Sequence, residues 1–560
     1  MHPRTTTGLG ATMLTALAAA CTPEPSPATA PRAPATGAPS ARAPAAGALG
    51  AACKFEQRFA RSDCAAGLMC APSPGGYCTA FCGLSGPCAG SCAETGKSGD
   101  VCFKACETND DCRTGEGYVC DPAWKACAVP GSLAPRAPSC AAAPPPKKSF
   151  GPAVQLSTAR SPGVYGMEPT AALTADGSVT AVYMTLGKIG EKNALAVATL
   201  GPGGAVSGDR ALALVRDSHF DPWMASDRGG KLHLVWLGFD GGFAPEKRMM
   251  VGYAQSADGQ SWSVPVGVHD VAADCPEGKL GCFDKPMIAI GPDKQDPRKD
   301  AIYVSYENDD GMKLVRSIDG GKTFSSSIDV GPGGYGDLEV SADGDLHAVY
   351  THMGGGEGQP RPVMYGDPRN AVEYVASRDG GKTFEKPRRV SAAGQPTPFY
   401  FSNPQVAVDP ERKLVYVVYT AGTPDGRWDI VLATSRDDGA SWSYLKVNDD
   451  VSCANHMTPS LSIRRGSGEL HVIWTENRSG KGGLAYATCA SGGATCSASE
   501  AVNDQPFAAY SLARLMPRWL GEYNTILIDE ERKRLHVIYT ATVSEGSGAV
   551  SRIFAATRRL

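Results

Sequence analysis

The sequence predicts an all-β protein in which one small unit is repeated around a ring, with a disulfide-rich module before it. Three observations support this prediction: 66 glycines among 560 residues, short apolar segments separated by tight turns, and an eight-residue motif that recurs. Short strands joined by glycine-containing turns are typical of β proteins. The net charge of -4 is close to balance, so composition indicates no nucleic-acid partner.

Residues 1–21 are predicted to be a secretory signal. The apolar segment "GLGATMLTALAAAC" ends at Cys21 and is shorter than the roughly 18 residues that a membrane span requires. Its end resembles a bacterial lipoprotein signal, which implies that Cys21 is lipidated and becomes the new N-terminus. We therefore expect a secreted protein of the bacterial cell envelope, an outer-membrane lipoprotein that meets the membrane only through this lipid. Secretion without lipidation is the alternative.

Residues 22–149 divide into three segments. A Pro/Ala-rich disordered tether is predicted at 22–52, a cysteine-rich module at 53–127 and a Pro-rich linker at 128–149. Thirteen cysteines lie between Cys53 and Cys140, with no histidine and no Cys-x-x-Cys pair among them, which favours disulfides over zinc sites. The segments "DCAAGLMC" and "DCRTGEGYVC" share Asp-Cys-x-x-Gly, so we expect two related disulfide knots in tandem.

A repeat of about sixty residues organises positions 150–560. Its turn motif has these copies: "SADGQSW" at Ser256, "SIDGGKTF" at Ser317, "SRDGGKTF" at Ser377, "SRDDGASW" at Ser435, and decayed forms at Thr199 and Cys489. An apolar strand that ends in Tyr or Trp occurs seven times. The repeat predicts seven four-stranded units, with six as the alternative. The segment "FGPAVQLS" from Phe150 would complete the last unit and close the ring.

The turn motif resembles the Asp box, or BNR repeat, of sialidases and other β-propellers. The resemblance implies a seven-bladed β-propeller whose boxes lie on turns away from the usual active site, where they serve the fold. Cys489 and Cys496 replace the Ser and aromatic positions of one box, so we expect a disulfide between them. Cys275 and Cys282 are the other local disulfide candidates. Sialidases hold their substrate with three arginines, and the motif of the first is missing from "VYGMEPTAAL" at 164–173.

Four histidines occupy one position of the repeat, each in a different unit. They are His233, His347, His471 and His536. Because each belongs to a separate unit, we interpret them as structural residues and predict no metal cluster there.

Polar residues in the loops around the predicted central mouth are the candidate ligand-binding residues. The loops that lead into the first strand of each unit carry Glu168, Asp221, Asp284, Asp337 and Glu522, with Tyr523 beside the last, and Asn403 and Thr458 in the remaining units. The loops after the second strand add Glu307, Glu476 and Arg478, the two glutamates at nearly equivalent places. Such carboxylates can bind sugar hydroxyls or a cation, or can cap their own loops.

The sequence therefore favours a surface protein whose propeller binds a glycan or a cell-surface protein. No cofactor is predicted, although the carboxylates leave a calcium ion open. The alternative is a sialidase-like glycoside hydrolase that uses a pair of mouth carboxylates. Adjacent residues of a strand point to opposite faces, so Glu522 is not expected to activate Tyr523 as a nucleophile.

Overall fold

The computed structural model describes residues 47–54, 63–65, 68–71, 74–81, 88–95, 99–130, 132–133, 145–158, 165–186, 192–240, 249–268, 284–308, 311–352, 370–397, 402–423, 427–450, 454–478, 481–507, 520–545 and 548–560. The predictions for Cys21, Cys275 and Cys282 concern positions outside these ranges. Among the residues so described, no helix has the length and apolar character needed to cross a membrane.

The chain separates into two compact units, and the N-terminal unit contains the cysteine-rich module. Its strands are β1 (Met69–Ala71), β2 (Tyr77–Phe81), β3 (Ser91–Thr95), β4 (Gly99–Phe103), β5 (Val119–Asp121) and β6 (Ala126–Ala128), and its 3-10 helices are Asn109–Asp111 and Thr114–Glu116. The first four strands form a sheet in the order β1-β2-β4-β3, and β5 pairs with β6. Tyr77 packs against Phe103 and Tyr118 in a small aromatic core.

The disulfides of this unit confirm the tandem arrangement. In the first motif Cys64 pairs with Cys78, and in the second Cys112 pairs with Cys127. The last cysteine of each motif pairs with a cysteine that precedes the motif, in the bonds Cys53–Cys70 and Cys106–Cys120. The bond Cys88–Cys102 lies between the two knots. Disulfides of this density are typical of small exported domains whose apolar core is too limited to hold the fold alone.

The C-terminal unit is built from antiparallel sheets, and its described residues form seven sheets of four strands each. We number them 1 to 7 along the chain. Sheets 1 to 4 contain β8 (Tyr165–Leu173), β9 (Val179–Leu186), β10 (Ala194–Leu200), β11 (Val206–Ala211); β12 (Ser218–Ser226), β13 (Leu232–Phe239), β14 (Met249–Ser256), β15 (Val266–Gly267); β16 (Asp284–Pro292), β17 (Asp300–Asn308), β18 (Gly311–Ser317), β19 (Ile328–Gly331); and β20 (Gly334–Val340), β21 (Leu346–His352), β22 (Ala371–Ser377), β23 (Arg388–Arg389).

The remaining sheets continue the pattern, and the last one uses a strand from the start of the unit. Sheets 5 to 7 contain β24 (Gln405–Asp409), β25 (Leu414–Gly422), β26 (Trp428–Ser435), β27 (Ser443–Lys446); β28 (His456–Ile463), β29 (Leu470–Glu476), β30 (Gly483–Cys489), β31 (Glu500–Ala501); and β32 (Thr525–Asp529), β33 (Arg534–Glu545), β34 (Gly548–Arg559), β7 (Val154–Gln155). The pairing of β7 with β34 confirms that the segment from Phe150 completes the last sheet.

The first strands of successive sheets lie side by side, and β32 of sheet 7 contacts β8 of sheet 1. Side chains connect these inner strands to the backbone of the neighbouring sheet. Asp337 Oδ2 accepts a hydrogen bond from Val406 N at 3.1 Å, and Thr525 Oγ1 donates to Pro169 O at 3.0 Å. Hydrogen bonds therefore cross the junction between the last sheet and the first.

The Asp boxes stabilise turns between third and fourth strands, as predicted. Ser377 Oγ donates to Asp379 Oδ1 at 2.8 Å and accepts a bond from Gly381 N at 2.8 Å. Asp379 Oδ1 also accepts bonds from the backbone of Lys382 and Thr383. At the decayed box of sheet 6, the disulfide Cys489–Cys496 takes the place of these bonds and confirms the expected pairing.

The four repeated histidines are structural. Nδ1 of His233, His347 and His471 forms a hydrogen bond of 2.6–2.7 Å with a tyrosine hydroxyl of the same sheet. In sheet 7 Ala555 stands at the position of the tyrosine, and His536 Nδ1 instead lies 2.9 Å from Thr557 Oγ1, on the residue paired with it. Each histidine thus links the second and third strands of its own sheet.

Candidate functional site

A two-residue irregularity recurs near the start of the inner strand. In sheet 1 the pairing of β8 with β9 is interrupted between Met167 and Thr170, and the same interruption occurs in sheets 2, 3, 4 and 6. The first residue of each interruption has a left-handed backbone, with φ between 44° and 52°, at Glu168, Asp221, Lys285, Tyr335 and Thr458. Non-glycine residues rarely adopt this conformation, and bulges of this kind redirect side chains.

Counting back from the aromatic residue that recurs in the second strand gives the same position in all seven sheets. We call these residues the bulge ring: Glu168, Asp221, Lys285, Tyr335, Asn403, Thr458 and Tyr523. All seven are buried, with at most 4% of the residue exposed. Four of the predicted positions are therefore right, namely Glu168, Asp221, Asn403 and Thr458.

The other three predicted loop residues lie one or two positions away from the ring. Asp284 and Glu522 each precede a ring member by one residue, and Asp337 follows one by two residues. Lys285 is not among the predicted residues, because Asp284 directly before it was predicted for this loop. The signal that would have found it is the following proline, which occurs in "EP", "DP", "KP", "NP" and "TP" after five of the seven ring positions.

Lys285 is the centre of the charged part of the ring. Its Nζ donates a hydrogen bond to Asp221 Oδ1 at 2.7 Å, lies 2.7 Å from Glu522 Oε2 and lies 3.6 Å from Glu168 Oε1. Lys285 belongs to sheet 3, whereas its three partners belong to sheets 2, 7 and 1. We call Lys285, Glu168, Asp221, Asp284, Glu307 and Glu522 the lysine cluster.

Glu168 is packed tightly and lacks donors. Neither of its carboxyl oxygens has a hydrogen-bond partner among the described residues when the group is ionised. Gly521 makes room for it, because a Cβ at Gly521 would lie 2.5 Å from Glu168 Cγ. Burial raises the pKa of Glu168 well above its ordinary value, although Lys285 lowers it, and a hydrogen bond to Asp221 favours the protonated form. Burial beside Asp221 thus favours the protonated carboxyl of Glu168, which can donate a hydrogen bond.

Asp284 and Glu307 face each other across sheet 3. They are directly paired residues of β16 and β17, and like charges in that position repel. Burial and the charge of Asp221 raise the pKa of Asp284 to about 6, and burial together with Asp284 raises that of Glu307 well above its ordinary value. Tyr335 OH donates to Asp284 Oδ2 at 3.3 Å.

Burial and neighbouring charges have opposite effects on the pKa values of Lys285 and Glu522. Burial alone would lower the pKa of Lys285, but the surrounding carboxylates, led by Asp221, raise it well above its ordinary value. Burial raises the pKa of Glu522 to about 8 in spite of Lys285. Lys285 thus stays charged, and most of the carboxyl groups around it favour their neutral form at moderate pH.

Sheets 5 and 6 complete the ring with neutral side chains. Thr458 Oγ1 and Thr475 Oγ1 are 2.7 Å apart, and Thr458 N donates to Ser402 Oγ at 2.9 Å. Neither side-chain amide atom of Asn403 has a partner within the described ranges. We call Asn403 and Thr458, together with the adjacent Ser402, Thr420 and Thr475, the neutral half of the ring, and the lysine cluster its charged half. All five are buried.

Glu476 and Arg478 lie in a different cluster. Glu307 directly follows the aromatic of its strand, whereas Glu476 follows Trp474 by two residues, so the two glutamates project from opposite faces. Arg478 Nη2 lies 2.7 Å from Glu476 Oε2, and His456 Nε2 lies 2.9 Å from Asp450 Oδ1. The predicted equivalence of Glu307 and Glu476 is thus wrong.

Tyr523 and Asp337 have structural contacts. Tyr523 OH donates to Pro222 O at 3.0 Å, and its ring packs on Trp223 with centroids 4.8 Å apart. Its pKa is raised well above the ordinary value by burial and by Glu168. Asp337 bonds to the next inner strand, as described above, and burial raises its pKa to about 8.

Residues 338–551 match the family described as the BNR repeat-like domain. The resemblance seen in the Asp-box motifs is therefore confirmed for this part of the sequence, which holds sheets 5 and 6 and most of sheets 4 and 7. No curated protein gives a significant match to the sequence.

Solved structures similar to this chain have low sequence identity. A protein of unknown function from Dyadobacter fermentans is 12% identical, with a TM-score of 0.43 over 74% of this chain and 99% of that one. An α-L-arabinofuranosidase of Fusarium graminearum is 10% identical, with a TM-score of 0.40 over 74% and 98%. The intramolecular trans-sialidase of Ruminococcus gnavus is 12% identical, with a TM-score of 0.38 over 59% and 92%.

Proposed function

We propose that this chain is a secreted surface lipoprotein whose seven sheets are the blades of a closed seven-bladed propeller that binds glycans without cleaving them. The observation that carries the proposal is the position of Lys285 among the ring carboxyls. A binding propeller needs a stable polar centre, and this lysine neutralises Asp221 and Glu522 from 2.7 Å each. A partner protein at the cell surface is the second candidate ligand.

A glycoside hydrolase needs two carboxyl groups with the substrate between them. The groups are about 5–5.5 Å apart in retaining enzymes and about 6.5–9.5 Å apart in inverting enzymes. In the lysine cluster the ammonium group lies 2.7 Å from both Asp221 and Glu522 and 3.6 Å from Glu168. These contacts support binding over hydrolysis, because the carboxyls are engaged with one another and with Lys285.

Hydrolysis is the alternative function, and one observation favours it. Burial raises the pKa of Glu168, which suits a general acid, and Asp221 beside it supplies a second carboxyl group. In this alternative a bound substrate would displace Lys285 from Asp221. Both functions would use the carboxyl groups of the lysine cluster, so substitutions of these groups separate binding from hydrolysis.

The test combines a glycan array with a panel of chromogenic glycosides, both applied to the full chain. We expect retention on one or more glycans and no turnover. Turnover that is lost in Glu168→Gln and Asp221→Asn but kept in Glu411→Gln would establish a hydrolase. Glu411 is a suitable control because its side chain is 70% exposed on a hairpin turn of sheet 5. Failure to bind any glycan would contradict the glycan proposal.

We also propose that ligand binding requires no metal ion. Lys285 Nζ supplies the positive charge that a calcium ion would bring to these carboxylates. Glycan retention should therefore be unchanged by EDTA, and loss of retention that added calcium restores would overturn this part of the proposal.

Attachment to the cell envelope is tested at Cys21. Labelled palmitate fed to producing bacteria should be incorporated into the wild-type chain and not into Cys21→Ser. Equal labelling of both chains would contradict lipidation at this residue.

A further inference from the structure

The lysine cluster joins sheets that are far apart along the chain. Lys285 in sheet 3 contacts Asp221 in sheet 2, Glu168 in sheet 1 and Glu522 before the inner strand of sheet 7. Sheets 7 and 1 meet where the two ends of the repeat come together, since β32 contacts β8. We infer that the cluster is a proton-dependent lock on this junction, closed when its carboxyl groups share protons and weakened when they ionise.

The geometry requires protons in the cluster. Five carboxyl groups surround one ammonium group, and unpartnered oxygens remain on Glu168, Glu307 and Glu522 within the described residues. Asp284 and Glu307 face each other directly, and Glu168 contacts Asp221. Buried carboxylates without donors are unstable, whereas a carboxylic acid can donate to a neighbouring carboxylate. Shared protons therefore supply the donors that the packing lacks.

The groups that face the cluster come from every inner element around it. They are Glu168 on β8, Asp221 on β12, Asp284 and Lys285 on β16, Glu307 on β17, Tyr335 on β20, and Glu522 and Tyr523 before β32. Lys285 is the cation of this set. The two tyrosine rings also lie near its ammonium group, with centroids at 5.4 and 5.8 Å from Nζ.

The sign of the pH dependence follows from the raised pKa values. A buried acid whose pKa is raised in the folded state binds a proton more tightly there than in the unfolded chain. Its contribution to the free energy of unfolding is complete below the ordinary pKa and is lost as pH rises through the pKa of the folded state. The pKa values of about 6 for Asp284 and about 8 for Glu522 place this loss of stability between mildly acidic and mildly alkaline pH.

The test is the thermal midpoint of the full chain between pH 5 and pH 9, compared with Glu168→Gln. The glutamine keeps a donor for Asp221 and cannot ionise, so it mimics the protonated residue. We expect the wild-type midpoint to fall by several degrees across this range, and the variant to match wild type at pH 5 and to exceed it at pH 9. The control Glu411→Gln should follow the wild-type curve.

A second variant provides the same test if Glu168→Gln is poorly folded. Glu522→Gln should also be less sensitive to alkaline pH than the wild type. A wild-type thermal midpoint that does not change between pH 5 and pH 9 would contradict the proposed lock. The proposal would also be wrong if the glutamine variants were less stable than the wild type by the same amount at both pH values. These measurements involve no ligand, so their outcome is independent of the proposed glycan binding.

Discussion

The two halves of the bulge ring share one backbone geometry and differ in chemistry. Glu168 and Asp221 in the charged half and Thr458 in the neutral half have the same left-handed φ near 50°. The charged half buries a lysine among carboxyl groups, whereas the neutral half closes through hydroxyl–hydroxyl bonds such as Thr458 to Thr475. The bulge is therefore a property of the repeat, and the side chain placed on it is free to differ between sheets.

This difference predicts unequal sensitivity to substitution. Removing one member of a hydroxyl pair leaves a polar atom that has lost one bond, which costs about 1 kcal/mol. Removing the one ammonium group from the lysine cluster leaves several buried carboxyl groups without compensation. Substitutions in the charged half should accordingly be the more destabilising.

The largest effect is expected for Lys285→Met. Methionine fills a similar volume but leaves Asp221 and Glu522 buried without their cation, which should lower the free energy of unfolding by about 3–5 kcal/mol at neutral pH. Urea unfolding followed by circular dichroism measures the change.

A rescue variant separates charge from packing. Adding Asp221→Asn and Glu522→Gln to Lys285→Met removes the two carboxyl groups that lie 2.7 Å from Lys285 Nζ and should restore most of the lost stability. If the single variant loses less than about 1 kcal/mol, the cluster does not depend on the ammonium group as described.

Much of the repeat could be predicted from the sequence. The Asp boxes fix their own turns through local bonds, as at Ser377 and Asp379, so their spacing reveals the third and fourth strands. The disulfide Cys489–Cys496 was predictable because both cysteines fall on the closing positions of one box. Features that depend on residues close in sequence are visible in the sequence itself.

The residues of the site were predicted less well, because the bulge in an inner strand decides which residue lies at the ring position. A slip of one residue moves a side chain to the other face of a strand, which is how Asp284 was mistaken for the ring member in place of Lys285. The contact of Lys285 with Glu522 joins residues 237 positions apart, and a single sequence carries no signal for it. Asp284 also resembles the carboxylates of the neighbouring loops, which favoured it over the adjacent Lys285.

A smaller effect is expected for Gly521→Ala, which tests the packing of the charged half. Gly521 has φ of 89°, and a Cβ there would lie 2.8 Å from Glu168 N and 2.5 Å from Glu168 Cγ. The variant combines backbone strain with displacement of Glu168, so we expect a loss of about 2–3 kcal/mol in urea unfolding.

Gly466→Ala is the matched control for that substitution. Gly466 has φ of 77° and no other atom within 4 Å of an added Cβ, so only the backbone cost of about 1 kcal/mol applies. Equal losses in the two variants would show that Glu168 is not held by close contact with Gly521.

The smallest effect is expected in the neutral half, for Thr475→Val. Thr475 Oγ1 donates to Met457 O at 3.0 Å and lies 2.7 Å from Thr458 Oγ1, so valine keeps the shape and removes both bonds. The loss should be about 1 kcal/mol. It should also be the same at pH 5 and pH 9, because no group of this pair titrates in that range. Thr475→Ser, which keeps the hydroxyl, should retain these bonds, and a pH-dependent loss in Thr475→Val would mean that the two halves of the ring are coupled.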